Sequence, residues 1–377
     1  MLIKKTFKFC LRPNKKQREK FAQFAGACRW VYNRGLAQRT DLWQKEQKRI
    51  SLFDQNNQLV ALKRQEETTW LKDVHSQVLQ QALDDLDKAM QAFFRRVKRK
   101  ETPGYPRFRC KGNGDSFRYP QGVTIGKGIV RLPKIGAVRF RQSRDIEGNL
   151  KQTVVVKEGD KWYVCFSCEI EQTITSKVTG DTAGIDVGIE NFATIANKHS
   201  ISEVKSPSFL KKGLSHLRHL SRKLSKKTFK SSNWKKAKAK LNTWHAKIRH
   251  QRQDFLHKLS TTLVKNHDVI AVESLQIREL LMTAPKTLAR AITDAGWRQF
   301  LQMLQYKCDY QGKSLVKAGK FFPSSQLCSC CGRKTRMELR IRTYSCECGF
   351  QIHRDHNAAL NLRAAGMSVR KACGAVL

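Results

Sequence analysis

Apolar and polar residues alternate loosely over residues 2–10, LIKKTFKFC, which predicts a strand. Pro13-Asn14 then opens a helix: Phe21, Phe24, Ala25, Cys28 and Tyr32 recur at three- and four-residue spacing and make one apolar stripe. The same period returns from about Ser76 to Val97, with Val78, Leu79, Ala82, Leu86, Ala89, Phe93 and Val97 on one face. That helix ends in RRVKRK, whose cations suit both the negative end of the helix dipole and phosphate. Near residue 101 the texture changes. Pro103-Gly104, Pro106 and Gly112-Asn113-Gly114 mark loops. From Ser116 to about Ile174, short period-two runs (GIVRLP, GAVRFR, KQTVVVKEGDKWYVCFSCEIE) alternate with turns and predict an antiparallel β-unit.

Residues 183–196, AGIDVGIENFATIA, read as two strands joined by a turn. Residues 208–265 read as helical. Leu210, Leu214, Leu217 and Leu224, then Leu241, Trp244, Ile248, Phe255 and Leu259, supply the apolar face. Residues 268–273, DVIAVE, are a buried-type strand, and residues 294–310 are helical again. There is no internal repeat and no low-complexity tail.

Charge changes this picture. The 377 residues carry 73 Lys plus Arg against 31 Asp plus Glu, a formal net charge of +42, with 40% hydrophobic residues available for a sizeable core. Such an excess repels itself unless a polyanion neutralises it, and nucleic acid is the polyanion at hand. Between Glu203 and Asp254 no acid occurs, so the polar face of helices 208–265 reads as a polyanion track rather than an ordinary solvated face. No apolar run approaches the ~18 residues of a membrane span, and the N-terminus lacks a secretory apolar core, so a cytoplasmic protein with no membrane partner is expected. Among the aromatics interleaved with basic residues, Trp30, Tyr32, Phe117, Tyr119, Trp234 and Trp244, the pair Phe117 and Tyr119 in Ser-Phe-Arg-Tyr are candidates for base stacking. Trp244 is expected in the core.

Acids are scarce, so their positions matter. Asp186 sits inside Gly-Ile-Asp-Val-Gly, on the opposite side of its strand from Ile185 and Val187. Glu273 ends the apolar run VIAV, at the carboxyl end of a strand where open α/β sheets place ligands. Asp355 begins an apparent helix. Each has a plainer reading: Asp186 as a turn residue, Glu273 as a solvated strand end, Asp355 as a helix cap. Together they suit two Mg²⁺ ions about 3.5–4 Å apart, clamping the attacking and leaving oxygens of a phosphodiester.

Five of the twelve cysteines crowd between residues 328 and 348. Cys328-x-x-Cys331 and Cys346-x-Cys348 make two knuckles whose four thiolates suit one tetrahedral, closed, structural Zn²⁺. Cys330 is an extra candidate that needs a tighter knuckle. Cys165 and Cys168 are also spaced C-x-x-C, but three residues apart on a strand they face opposite sides and cannot share a metal.

The whole set of motifs resembles the TnpB (OrfB-type) proteins of insertion sequences, relatives of type V CRISPR effectors. The resemblance runs from KKTFKFCLRPNKKQREKF and GACRWVYNRGL through GYPRFR, SFRYP, VRLPKIG, GIDVGIENFATIA, VIAVESL, DAGWRQFLQMLQYK and PSSQLCSCCG to CECGFQIHRDHNAALNLRAAG. It implies a multi-domain α/β chain: an RNase H-like (RuvC) domain with an inserted zinc ribbon, an N-terminal helical recognition domain and a wedge β-barrel. By that resemblance residues 1–12 supply the first barrel strand, 13–115 the recognition domain and 116–178 the rest of the barrel. Residues 179–325 form the nuclease domain with its basic helices, 326–350 the ribbon and 351–377 the last nuclease segment. Asp186, Glu273 and Asp355 match the family's catalytic carboxylates, and Cys328, Cys331, Cys346 and Cys348 its zinc ligands. The partners implied are a guide RNA from the transposon end, one per monomer, and target double-stranded DNA, read by base pairing and a short adjacent motif. The short Cys-x-Cys knuckle departs from the family pattern, as does His353, where many relatives carry Asp. Two other readings belong to different classes: a guide-carrying DNA-binding regulator without cleavage, and a transposase.

Overall fold

The computed structural model describes residues 2–112, 114–171, 178–338 and 341–372, with side chains to residue 369. The predicted end of the β-unit near Ile174 and the last five residues of the chain lie outside the described residues. The chain divides into two compact units, residues 1–172 and 173–377.

In the first unit, β1 (Leu2–Arg12) leads into α1 (Lys15–Glu46), then α2 (Leu52–Arg64), a 3₁₀ helix (Glu66–Asp73) and α3 (Ser76–Lys98). Asn14 starts α1 with a capping box: its side chain accepts from the Gln17 amide at 2.9 Å, and the Gln17 side chain accepts from its amide at 3.0 Å. Six strands follow: β2 (Ser116–Tyr119), β3 (Thr124–Gly126), β4 (Ile129–Leu132), β5 (Gly136–Arg141), β6 (Asn149–Glu158) and β7 (Lys161–Glu171). Among the described residues they join β1 in a seven-stranded antiparallel sheet of order β2-β6-β7-β1-β5-β4-β3. The N-terminal strand therefore sits in the middle of a sheet whose other members come more than a hundred residues later. Sheet and helices share one core, where Phe21 and Phe24 of α1 meet Phe117 and Trp162 with ring centroids 5.2–5.8 Å apart.

That packing corrects the stacking candidates. Phe117 and Tyr119 are buried in this core. They alternate with Arg118, which reaches the other way to Asp84 and Asp85. Period two gave two faces, but the aromatic face is the inner one. The stripe of α3 is likewise core only for its first turns: Val78, Leu79, Ala82 and Leu86 are buried, Phe93 is half-buried, and Val97 is exposed where the helix outruns its neighbours. Cys168 is buried in the core while Cys165, on the alternate face of β7, is only partly covered, as their spacing requires.

The second unit contains β8 (Thr182–Val187), β9 (Asn191–Ala196), β10 (Ile201–Lys205), the basic helices α4 (Phe209–Ser225) and α5 (Ser232–Asn266), and β11 (Val269–Val272). After these come α6 (Ile277–Thr283), α7 (Lys286–Ala295), α8 (Trp297–Gln311), β12 (Ser314–Lys317), the small hairpin of β13 (Thr343–Ser345) and β14 (Gln351–His353), and α9 (Arg354–Ala372). The main sheet has the order β10-β9-β8-β11-β12, antiparallel through β10, β9 and β8, parallel through β8, β11 and β12. Ala183, Ile185, Ile270 and Val272 point to one face and pack on Leu256, Leu263 and Val264 of α5 and Phe300 and Leu304 of α8. The opposite face is covered by α9.

Gly184 is what lets α9 lie so close. A Cβ at 184 would overlap the carbonyl oxygen of Ala359 and the amide of Arg363. Gly366 repeats the arrangement one to two turns on, where a Cβ would come within 2.9 Å of Ala271 Cβ and 3.2 Å of Thr182 Cγ2. The basic helices are held by an acid: Asp294, buried at the end of α7, accepts from the amides of Leu210 and Lys211 at the start of α4 and pairs with Arg252 of α5 at 3.0 Å. Along α4 and α5, Lys211, Lys212, Arg218, Arg222, Lys223, Lys235, Lys236 and Lys240 are exposed. Trp244 is half-buried between the two helices, 4.3 Å from the His216 ring. No described helix is long and apolar enough to cross a membrane.

Because its neighbour is backbone, Gly184→Ala cannot be relieved by a rotamer change. The substitution is expected to destabilise the second unit by about 3 kcal/mol or more. Urea denaturation of the full chain measures this; a midpoint equal to wild type would contradict the close approach.

Candidate active site and metal centre

The parallel pairing of β8 and β11 brings two distant acids side by side. The register matches Val269 with Thr182 and continues to Val272 with Ile185. Glu273 follows Val272 just past the end of β11, as Asp186 follows Ile185 within β8. By parity, Asp186 shares the α9 face with Thr182 and Gly184. Asp355 lies in the first turn of α9, one turn before the Ala359 that rests on Gly184. The step from Gly184 to Asp186 along the strand thus runs beside the step from Ala359 to Asp355 along the helix.

Asp186 feels the other two carboxylates. Burial, then Asp355, then Glu273 push Asp186 up to about 8, against the pull of the Arg354 guanidinium. Burial also raises Glu273. Their oxygens do not all close to within 4.8 Å of one another, as the ligand atoms of the cysteine cluster do. In a chain of net charge +42, a buried aspartate beside two other acids is a local excess of negative charge.

The cysteines converge as their spacing predicted. The Sγ atoms of Cys328 and Cys348 are 3.7 Å apart, and those of Cys331 and Cys346 are 3.6 Å apart. All four lie within 4.8 Å of one another. A tetrahedron with bonds of about 2.3 Å has edges of about 3.8 Å, so this cluster can hold a metal ion such as zinc. The Cys348 amide, donating to its neighbour, helps lower the Cys346 thiol to about 7, toward the thiolate a metal needs. Cys330 is exposed and outside the group. The short second knuckle closes because Gly349, at φ +86°, turns the chain back so that the Cys346 amide donates to the Phe350 carbonyl.

Two asparagines tie this cluster to the carboxylates. Asn357 accepts from the Ser329 amide at 3.0 Å and donates to the Leu327 carbonyl at 2.6 Å. One turn on, Asn361 donates to the carbonyls of Ser324 and Leu327 at 2.8 and 2.7 Å. Both are buried. The helix that presents Asp355 thereby grips the first knuckle with its opposite face. Sequence reasoning missed these residues, although two asparagines at i and i+4 in the otherwise apolar run NAALNL were a visible signal. It missed also that Arg354 acts on Asp186, and that His356 bonds Glu203 of β10 at 2.8 Å.

Comparison with known proteins decides the family. A "Putative RNA-guided DNA endonuclease InsQ" of Escherichia coli (strain K12) is 35% identical, with 98% of this chain and 93% of that protein covered. This chain belongs to the TnpB (OrfB-type) family. A "Putative RNA-guided DNA endonuclease" of Streptomyces pristinaespiralis is 36% identical to this TnpB-family chain over 99% of it and 91% of the relative. The family model described as "Probable transposase" matches residues 165–283, and that of the "Cas12f1-like, TNB domain" residues 297–362, spanning the cysteine cluster and Asp355. A "Helix-turn-helix domain" model matches residues 1–48, where this TnpB relative has one strand and a single long helix. Among solved structures, the Cas12f1 chain of a Cas12f1–sgRNA–target DNA complex aligns with TM-score 0.55 at 14% identity, over 93% of this chain and 83% of that one, which shows a shared fold.

The raised Asp186 carries a testable pH dependence. In an unfolded chain its carboxyl ionises near ~3.9, but in the folded protein it keeps its proton up to about 8. Between those values the folded state holds the extra proton, so this group's contribution to stability falls as pH rises toward 8. Asp186→Asn removes that penalty. In chelator, the melting temperature of the variant should exceed that of wild type by a margin that widens from pH 5.5 to pH 8; a margin independent of pH would contradict the burial of Asp186 among like charges.

Proposed function

We propose that this chain is an RNA-guided DNA endonuclease encoded by a transposon, with Asp186, Glu273 and Asp355 as its catalytic carboxylates. The single observation that carries the reading is their convergence: two strands in register and a helix seated on Gly184 bring three acids from three distant segments to one sheet face. The strand order, three antiparallel strands continued by two parallel ones, supports an RNase H-like (RuvC) description of the second unit. The names of the relatives support cleavage of DNA under RNA guidance.

The donor set fits Mg²⁺: hard carboxylate oxygens, with Asp355 and Glu273 both acting on the buried Asp186. Two such ions, when bound, would polarise the phosphodiester and supply a hydroxide-like nucleophile. The chain's own residues do the rest. Asp186 and Glu273 are fixed by the sheet and Asp355 by the helix, so the site is preorganised on rigid elements. Arg354 tempers the repulsion among the acids. The exposed cations of α4 and α5 grip phosphate along a nucleic-acid backbone. The Cys328, Cys331, Cys346 and Cys348 cluster holds one structural Zn²⁺ in the ribbon, and Asn357 and Asn361 pass its rigidity to the helix of Asp355.

In this reading residues 1–12 and 116–178 act as the wedge and 13–115 as the recognition domain, together binding the guide RNA and the duplex beside its target. Residues 179–325 and 351–377 cut, and 326–350 form the ribbon. Asp186→Ala should reduce guide-dependent cleavage by about a thousandfold or more, since the three acids act as one unit, while affinity for the RNA stays within about twofold. Cleavage of a guide-matched plasmid and filter binding read the two quantities. Cutting at the wild-type rate would overturn the assignment, and joining of a transposon end to target by the protein alone would support the transposase reading instead.

A further inference from the structure

A second cluster of metal-ligating side chains stands beside the carboxylates and has no part in the reading above. Glu203 of β10, His353 at the end of β14 and His356 in the first turn of α9 each offer one ligand atom, and these atoms all lie within 4.8 Å of one another. His356 Nε2 is 2.8 Å from Glu203 Oε1, and the two imidazole rings are 5.2 Å apart. His353 Nδ1 is buried and has no hydrogen-bond partner among the described residues. A buried ring nitrogen without a partner is costly, and a metal ion is one of the few things that satisfies it.

The chemistry of the three side chains selects the ion. Two imidazoles and one carboxylate are borderline donors that suit Zn²⁺, Co²⁺ or Ni²⁺, and they differ both from the four thiolates of the ribbon and from the all-carboxylate trio. Three protein ligands leave a position open for water, as in zinc sites that are not purely structural. Lys205 Nζ is 3.8 Å from the other Glu203 oxygen, on a largely exposed side chain. The motif itself, His-Arg-Asp-His, places the two imidazoles on either side of the strand-to-helix step, so closing the site needs no change of backbone.

We propose that Glu203, His353 and His356 form a further metal site that takes one borderline divalent transition-metal ion. Asp355 lies between the two histidines in sequence, so an ion held there adds positive charge next to a carboxylate of the proposed catalytic trio. Under the endonuclease reading, micromolar Zn²⁺ or Ni²⁺ then antagonises Mg²⁺-dependent cleavage. Only that consequence rests on the reading; the binding itself does not.

The experiment is a Co²⁺ titration of the full chain with its cysteine cluster already filled by Zn²⁺, followed by visible absorption and by metal content after desalting. One additional Co²⁺ per chain is expected, with ligand-field bands and no thiolate charge-transfer band. Its affinity should fall at least about tenfold in His356→Gln and in Glu203→Gln, both partly exposed positions whose replacement leaves the fold intact by circular dichroism. Asp186→Asn should retain it. Absence of a second ion in wild type, its survival in the double variant His353→Gln/His356→Gln, or its loss in Asp186→Asn but not in His356→Gln would each overturn the proposal. A wild type that binds the second ion yet cuts no guided DNA would leave this site standing and sink the endonuclease reading.

Discussion

The contact between the backbone of α9 and the strand at Gly184 sets the geometry of everything chemical in the second unit. A helix packed on a sheet through ordinary side chains stands about 10 Å away. Here a missing Cβ on the strand lets helix backbone touch strand backbone. The closeness carries Asp355 down to the level of Asp186 and Glu273, and it lets Arg363 donate to the Thr182 carbonyl at 3.2 Å. A longer side chain at residue 355 could not replace this approach, because reach gained by flexible methylenes is lost in rotamer entropy and in precision.

Around that contact the few acids of a very basic chain divide into two kinds. Some are tied into structure. Asp294 caps α4 and pairs with Arg252; Asp268 accepts from the amides of Thr179 and Gly180, which lowers its pKa. Asp84 and Asp85 answer Arg118. These carboxylates have hydrogen-bond or ion-pair donors. Asp186 and Glu273 are the other kind, pushed upward by burial, and in the case of Asp186 by other acids. Asp268, held by amides, is lowered, whereas Asp186, buried beside other acids, is raised. The acids and the cysteine cluster then share one helix: Asp355 faces the sheet while Asn357 and Asn361 hold the first cysteine knuckle.

Much of the secondary structure was legible along the chain, because its long elements carry clear periods. The strand at residues 2–10, the helices from Pro13-Asn14 and Ser76 and the antiparallel strands after Ser116 stand where periodicity put them, and the strand DVIAVE is present as Val269–Val272. The helix α2, the 3₁₀ helix, β10 and β12 were not anticipated. They are short or weakly amphipathic, and tertiary contacts stabilise them more than pattern does. The three acids and four cysteines were found by residue type and spacing. Phe117 and Tyr119 were misplaced because alternation says that a strand has two faces without saying which one is buried.

Residue order by itself determined which chemistry this protein carries: an excess of cations that demands a polyanion, thiols at metal-ligand spacing, and isolated acids at a strand interior, a strand end and a helix start. Those are local properties, set by side-chain type and by the 2.0 and 3.6 periods. Only the tertiary structure decided which of these groups meet. The pairing of Val272 with Ile185, the seat of Ala359 on Gly184 and the bond between His356 and Glu203 each join residues more than eighty positions apart. Such contacts depend on how sheets register and how closely backbones can pack, and no local period encodes either.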